Sequence, residues 1–407
     1  MKKLLSIILI LISIIFPACN SETTKEERPT TITKSEYFKK IDDEIYSISR
    51  EKISNSINEN SYVYNYWLLE EENSLFYTNT IEEEKEEGFE VKQTLFKTDY
   101  NNTVDWKYEL PTNNSVSDVR FDGEDIYVLY SEVNFLEYIN PSYRVMCFDI
   151  DGNEKWSKDI QFKHNPSSSV DYCYIEPCAD GFLVAFGKGF SYTDETDQPS
   201  DDFMLEKNNL YIQKYDLEGN LLWLKTIGTS GNMYKTSVYD VLYLYKIKLY
   251  VDDENIYVSY VSYINSPSPT DISELSTKPV RVILELDKEG NIKSSKKIKL
   301  SDKCDLDLFY FHDNYFYTLS GRDKLLKLDK ELNTIKKTTI SKLGYSPCFI
   351  PCNSGMYFAE IGETIWKYSY DLEPLEQELS KHFSYNDFSK KYVGTIDGKT
   401  LIGEEYY

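Results

Sequence analysis

Phe148-Asp149-Ile150-Asp151-Gly152-Asn153-Glu154-Lys155-Trp156 returns as Tyr215-Asp216-Leu217-Glu218-Gly219-Asn220-Leu221-Leu222-Trp223, and in shorter form as Leu286-Asp287-Lys288-Glu289-Gly290-Asn291-Ile292. Each copy joins two short apolar stretches through a tight polar turn, where Gly and Asn tolerate the positive φ that such turns demand. A unit this small cannot bury its own apolar face, so the copies must stack on one another. Related turns at Asp99 and Asp329, with a looser one at Asp371, extend the series. Successive spacings are 50, 67, 71, 42 and 42 residues. The unit is therefore about 42 residues with insertions in the early copies, the length of a four-stranded propeller blade.

Between these outer hairpins lie inner ones, predicted from alternating apolar residues around polar turns. They run Trp67 to Tyr77, Val119 to Val128, Tyr174 to Phe186, Leu249 to Tyr260, Phe309 to Leu319 and Phe349 to Phe358. At the C-terminus, Tyr392 to Gly403 is an inner hairpin with no outer partner after it. Tyr37 to Ile48, near the N-terminus, is an outer hairpin with no inner partner before it. Joined, the two complete one blade. The expected fold is all-β, a seven-bladed β-propeller closed by pairing the terminal hairpins, which removes exposed sheet edges. Its composition agrees, with 36 Tyr and 20 Phe suited to pleated surfaces.

Residues 1–18 differ from the rest: Lys2 and Lys3 precede an apolar run, Leu4 to Phe16, with the features of a secretory signal. Phe16-Pro17-Ala18-Cys19 resembles the lipobox of bacterial lipoproteins, which implies lipidation at Cys19 and attachment to the membrane by acyl chains. Residues 19–35 form a polar tether after the anchor and 36–407 the propeller domain. Loss of the signal takes the formal charge from −23 to −25, because two Lys leave with it. Such an acidic chain is ill suited to nucleic acid, whose binding rests on Lys and Arg at the phosphates.

Lys155-Trp156 and Leu222-Trp223, each after a Gly-Asn turn, with Asp105-Trp106 as a degenerate copy, resemble the PQQ-like repeat family. The segment from Tyr211 through Trp223 to Gly228 also looks like repeats of bacterial surface propellers. The outer-membrane assembly lipoproteins of that superfamily are similar in being lipidated, periplasmic and non-enzymatic, but have eight blades where seven are counted here. Its quinoprotein dehydrogenases carry a regular Trp motif and a vicinal Cys pair, both missing from this sequence, so PQQ is not expected. The simplest role for each Trp is a wedge between blades.

Chemistry is sparse. His164, His312 and His382 are too scattered for a triad or a His-based metal site, and neither a phosphate-cradling Gly loop nor HExxH occurs. The Asp-Gly-Asn turns stop short of the ligand ladder of a calcium loop. Six cysteines follow Cys19. Cys173 with Cys178, and Cys348 with Cys352, form two close pairs. On an extended strand their separation is too great for a bridge, while the Pro before each second Cys could fold the segment back. Disulfides and free buried thiols both remain open.

The insertions between the second and third strands of blades one to four point to function: Thr78 to Lys92, Ser131 to Ser142, Lys188 to Asn209 and Ile264 to Lys278. Long loops of this kind in compact domains are frequently functional. They form an expected rim on one face, acidic at Glu82 to Glu87 and, in blade three, rich in candidate contacts: Tyr192, Asp194, Asp197, Asp201, Asp202 and Phe203. The sequence thus points to a non-enzymatic cell-envelope lipoprotein, outer-membrane, periplasmic or surface-facing. It would be a monomer or part of a hetero-complex and would bind a protein or glycan through that rim. No cofactor is expected, and a divalent cation at the rim is allowed. The alternative is a carbohydrate- or peptide-active enzyme using carboxylates near the central channel.

Overall fold

The computed structural model describes residues 36–40, 43–57, 62–69, 74–85, 88–132, 142–160, 168–190, 206–233, 245–252, 254–264, 278–300, 308–321, 323–340, 348–359, 366–377, 390–396 and 399–404. The chain opens with strands β1 (Phe38–Lys40) and β2 (Ile45–Ile48) and helix α1 (Arg50–Ile57). Blade one follows with β3 (Tyr62–Leu69), β4 (Ser74–Lys85), β5 (Gly88–Thr98) and β6 (Val104–Glu109). Blade two has β7 (Asn114–Phe121), β8 (Asp125–Glu132), β9 (Tyr143–Asp149) and β10 (Glu154–Asp159). Blade three has β11 (Ser168–Cys178), β12 (Gly181–Phe190), β13 (Glu206–Tyr215) and β14 (Leu221–Met233). In blade four are β15 (Tyr245–Val251), β16 (Ile256–Ile264), β17 (Lys278–Leu286) and β18 (Ile292–Lys299). Blade five comprises β19 (Phe309–His312), β20 (Tyr315–Ser320), β21 (Lys324–Leu328) and β22 (Thr334–Thr339), and blade six β23 (Cys348–Cys352), β24 (Gly355–Ala359), β25 (Trp366–Tyr368) and β26 (Pro374–Gln377). The last hairpin is β27 (Lys390–Ile396) and β28 (Lys399–Glu404).

Among the described residues these strands make seven four-stranded sheets, one of them ordered β1-β2-β28-β27. The ring is thus a β-propeller closed by both ends of the chain, and the innermost strand β27 touches β23 on one side and β3 on the other. The closing blade departs from the regular pattern in strand order. In the other six blades the outermost strand comes last, whereas here β1 is outermost and β2 occupies the third position, parallel to β28 through Ile45↔Thr400, Tyr46↔Leu401 and Ser47↔Ile402. Reversing the hairpin lets β2 run in the direction of a regular fourth strand, so it ends on the face where β3 begins. Helix α1, which the sequence reading did not anticipate, makes that connection and buries Ile53 against Phe38, Tyr46 and Val63.

Blade-to-blade packing follows one rule. Each outer turn begins with a residue whose carbonyl and side chain close a five-residue loop: Asp149 N–H donates to Asn153 O at 3.0 Å, and Asn153 N and Nδ2 each donate to the Asp149 carboxylate at 2.8 Å. The same bonds recur at Asp216 and Asp287. In blade six the residue in this position is Ser369, not Asp371: Ser369 N–H donates to Glu373 O and Ser369 Oγ accepts from Glu373 N–H. Ser mimics Asp as an acceptor, which hid the register.

The tryptophans dock on these turns. Trp106 Nε1 donates to Ile150 O at 3.1 Å, Trp156 to Leu217 O at 2.9 Å and Trp223 to Lys288 O at 3.1 Å, each reaching the turn of the next blade. The Gly of that turn lies flat against the indole. A Cβ on Gly152 would meet Trp106 Cγ at 2.6 Å, and one on Gly290 would meet Trp223 Cη2 at 2.9 Å. Gly is therefore required twice over, for φ of +86° and +77° and for the ring above it. Where the preceding blade has no Trp, the turn changes. Ser294 and Lys336 occupy the Trp position in blades four and five, and the following turns carry Leu332 (φ 63°) and Leu372 (φ 58°), buried at 4% and 1% exposure. The leucine fills the space that the indole would take, and its burial outweighs the ~1–2 kcal/mol cost of the left-handed backbone.

A second repeat position, two residues before the turn, carries a charge in five of the six regular blades, buried in four and half-buried at Lys367. Lys97 pairs with Asp105 at 3.3 Å, Lys214 with Asp180 at 2.7 Å and Lys327 with Asp371 at 2.8 Å. In blade four the sign is reversed, Glu285 with Lys293 at 3.1 Å. Lys367 of blade six reaches Glu44 of the closing blade at 3.0 Å, and Ser354 Oγ donates to the same carboxylate at 2.5 Å. Burial works against ionisation of Glu44, but Ser354 and Lys367 outweigh it and hold the carboxyl below its usual value.

The sequence reading of the insertion Thr78 to Lys92 as a loop is corrected, because β4 and β5 pair without interruption to Lys85↔Gly88. The tentative disulfides are corrected as well. Cys173 and Cys178 lie on one continuous strand opposite Phe186 and Gly181, and Pro177 and Pro351 stay in their ladders opposite Phe182 and Met356. No fold-back occurs. Cys147, Cys173, Cys178 and Cys352 are free.

Three outcomes are expected. Trp156→Ala should lower unfolding free energy by about 3 kcal/mol in urea denaturation, and Ser294→Trp should be tolerated only together with Leu332→Gly. Glu44→Gln should lower Tm at neutral pH. Because the folded carboxyl is depressed, its contribution is present above the unfolded value of 4.5 and is lost as pH falls through the lower folded value. The Tm gap to the parent chain should accordingly close in acid.

Candidate functional site

Two parts of the ring break its regularity, and they lie toward opposite faces. The first is the face carrying the second-to-third-strand connections. Leu75↔Thr98, Ile126↔Phe148, Phe182↔Tyr215, Ile256↔Leu286 and Phe316↔Leu328 are matching rungs, each next to its outer turn. From that rung blade five closes at Ser320↔Lys324. Blade one runs six pairs further, Thr80↔Gln93 to Lys85↔Gly88, and at ~3.3 Å per residue the hairpin projects by about 20 Å. Blade four continues through Ile264↔Lys278, blade three through Lys188↔Asn209 and blade two through Ser131↔Tyr143. Beyond the blade-five closure the ladder thus runs six pairs further in blade one, four in blade four, two in blade three and one in blade two, a wall highest over blades one and four.

The described part of the wall is acidic but not bare. Lys92 lies between Glu83 and Glu90 at 3.1 and 3.2 Å, which raises the ammonium pKa, and Tyr62 Oη donates to Glu82. The candidate contacts Tyr192, Asp194, Asp197, Asp201, Asp202 and Phe203 fall outside the described residues, as do Cys19, Cys304, Phe135 and Tyr138.

The second part is a charged cluster on the innermost strands of blades two to four, close to the tight first-to-second-strand turns. Arg120 Nη2 lies 3.3 Å from Asp118 Oδ2, and Arg120 Nε lies 3.6 Å from Glu176 Oε2 while donating to Ile175 O at 3.2 Å. Asp118 Oδ1 accepts from Val119 N–H at 3.0 Å. Lys248 of β15 adds positive potential at Asp118. Burial pushes the Glu176 carboxyl up to about 7; Arg120 opposes the rise and Asp118 adds to it. Burial raises Asp118 too, against Arg120. The Arg120 side chain nevertheless keeps 43% exposure and Glu176 28%. Protein thus surrounds both groups while water still reaches them. Two carboxyls beside one cation leave a titratable proton near neutrality. Composition alone could not single out these residues among 68 acidic ones. The available signal is Arg120, a charged residue within the inner hairpin Val119 to Val128, with Asp118 directly before it.

Nucleophiles elsewhere are subdued. Burial pushes Cys147 up to about 12 and Cys178 and Cys352 up to about 11, the behaviour of inert thiols. His312 stacks on Tyr370 with centroids 3.7 Å apart and has Asp313 at 3.3 Å, a packed surface role. Among the described residues no group of three or more His, Cys, Asp or Glu is placed to hold a metal ion, and no helix is long and apolar enough to cross a membrane.

No family model and no curated protein sequence matches this chain. Among solved structures it is similar to BamB from Moraxella catarrhalis, with 9% identity, 70% of this chain and 82% of that one covered, and a TM-score of 0.35. Alpha-L-arabinofuranosidase from Lactobacillus brevis is similar at 9% identity, with 77% and 92% covered and a TM-score of 0.33. Cobalt-substituted Synechocystis apocarotenoid oxygenase shares 11% identity over 79% of this chain and 59% of its own, with a TM-score of 0.36. These likenesses concern the fold only.

The raised Glu176 pKa has a consequence for stability. A carboxyl whose folded value exceeds its unfolded value of 4.5 favours the fold most below 4.5, and that advantage is lost as pH rises through about 7. Urea unfolding of Glu176→Gln should therefore show a gain over the parent chain at pH 8 that shrinks toward pH 5.

Proposed function

We propose that this chain is a non-enzymatic binding protein of the bacterial cell envelope, anchored through lipidated Cys19 and engaging a protein or glycan partner over blades one to four. The observation that supports it is the wall: blades one and four carry their ladders six and four pairs beyond the level at which blade five turns at Ser320↔Lys324, with shorter extensions in blades two and three between them. Extending a ladder in water costs backbone entropy without adding to the core, so such growth calls for another use. Tyr192, Asp194, Asp197, Asp201, Asp202 and Phe203 are the proposed contacts in the blade-three segment, where aromatics would stack on a sugar or apolar side chain and carboxylates would meet cationic groups or a divalent ion.

A second reading has one observation in its favour. Glu176 and Asp118 converge beside the axis with raised pKa values, as acid–base catalysis on a glycan or peptide would need. Arg120 weighs against it, since the guanidinium lies between the two carboxyls where a scissile bond would have to enter.

A photo-crosslinking residue at Glu84, on the projecting hairpin, should capture a partner in cells, while one at Lys324 of the tight blade-five connection should not. Equal capture at both positions, or none at either, contradicts the proposal. Replacing Asp194, Asp197, Asp201 and Asp202 by Asn should weaken cation-dependent binding of that partner about tenfold or more, and mass spectrometry of the mature chain should find acyl groups on Cys19.

A further inference from the structure

The charged cluster beside the axis belongs to the opposite face from the wall and needs its own account. Matching rungs show how local it is. Arg120 (opposite Tyr127), Glu176 (opposite Leu183) and Tyr250 (opposite Tyr257) share one level of the ring, and Asp118, Tyr174 and Lys248 share the level two residues deeper. At the level of Arg120, the innermost strands of blades one, five and six carry Trp67, Tyr310 and Ile350. At this level charge is thus confined to blades two and three, while the other four regular blades carry aromatic or apolar residues there. A ring that needed only packing would carry apolar residues all round, because a part-buried Arg between two carboxyls seldom repays its desolvation.

The guanidinium is also incompletely used. Arg120 Nε bonds to Ile175 O, whereas the contacts with Asp118 and Glu176 are ion pairs at 3.3 and 3.6 Å. With its side chain 43% exposed, Arg120 is within reach of an incoming ligand. A planar guanidinium takes a carboxylate in bidentate fashion.

We propose that Arg120, with Glu176 and Lys248, forms a proton-coupled carboxylate-binding site beside the axis, in which a ligand carboxylate displaces the Glu176 carboxylate from the guanidinium. Glu176 takes up one proton as the ligand enters, so the total charge around Arg120 is unchanged. Protonated Glu176 then offers an O–H donor. Lys248, exposed on β15, supplies positive potential. The groups facing the site are Asp118 and Arg120 from β7, Cys173, Tyr174 and Glu176 from β11, and Lys248 from β15. Burial pushes the Glu176 carboxyl up to about 7 and raises the Cys173 thiol well above its ordinary value.

Isothermal titration of the full mature chain with D-glucuronate tests the site, with N-acetylglycine as a peptide-like carboxylate and D-glucose as the neutral control. Affinity for a carboxylate should be about tenfold higher at pH 6 than at pH 8, following the protonated fraction of Glu176, and buffers of different ionisation enthalpy should report proton uptake at pH 8. Whichever of glucuronate and N-acetylglycine binds more tightly identifies a sugar acid or a peptide terminus as the source. Glu176→Gln should bind at pH 8 as the parent does at pH 6. Arg120→Gln should lose binding, and Lys248→Gln, on an exposed side chain, should weaken it about threefold without a change in Tm. Binding that is equal at both pH values, equal for glucose, or undetectable for both acids at pH 6 overturns the proposal.

Discussion

The ring depends on what fills the gap between one blade's outer strand and the next blade's outer turn. An indole donates one hydrogen bond to a turn carbonyl and lays its face on a glycine, or a leucine of the turn itself fills the same gap. These solutions exclude each other sterically. Trp above Leu would overlap, and Ser above Gly would leave a cavity whose cost grows with its volume. Adjacent blades are therefore coupled in sequence although they lie about 42 to 71 residues apart.

Buried charge follows the same logic of neighbours. The position two residues before each turn bears Lys97, Lys214, Glu285, Lys327 or Lys367, and in each case a partner of opposite charge is supplied from its own blade or the next. Cys147 stands there in blade two, and the nearby Asp125 is instead paired by Lys155 at 2.6 Å. Such pairs contribute little net stability, but an unpaired one would be costly, so they penalise any misregistered stacking of blades. Glu44 extends the pattern to the closing blade, where the N-terminal hairpin is checked by Lys367 and Ser354 as well as by its pairing with β28. With the frame fixed in this way, the two faces are free to differ: ladders lengthen on one, and charges gather beside the axis toward the other.

Much of the fold was legible because turn chemistry is local. Asp, Gly and Asn at fixed offsets mark a corner regardless of what lies across from it, and the two unpaired terminal hairpins implied closure. The inverted order of β1 and β2 was not legible. Period-2 alternation states that a strand exists but not which neighbour it joins, and parallel or antiparallel pairing of so short a strand leaves the same pattern. Ser369 escaped notice because Asp371, two residues on, looks like the repeat while serving Lys327. The blade-one insertion reads as a loop because Glu82 to Glu87 lacks the apolar residues of a buried strand, yet a projecting hairpin has no core to face. The axial cluster depended on contacts between residues more than 50 positions apart, such as Arg120 with Glu176, which no local pattern encodes.

Indole hydrogen exchange tests the central claim most directly. With 15N-labelled tryptophan, the Nε1–H signals of Trp106, Trp156 and Trp223 can be followed separately from those of Trp67 and Trp366. If docking of each indole on the next blade's turn holds the ring together, these three protons exchange slowly and with one common dependence on denaturant, matching global unfolding. Exchange at the rate of free indole, or three unrelated denaturant dependences, would contradict it.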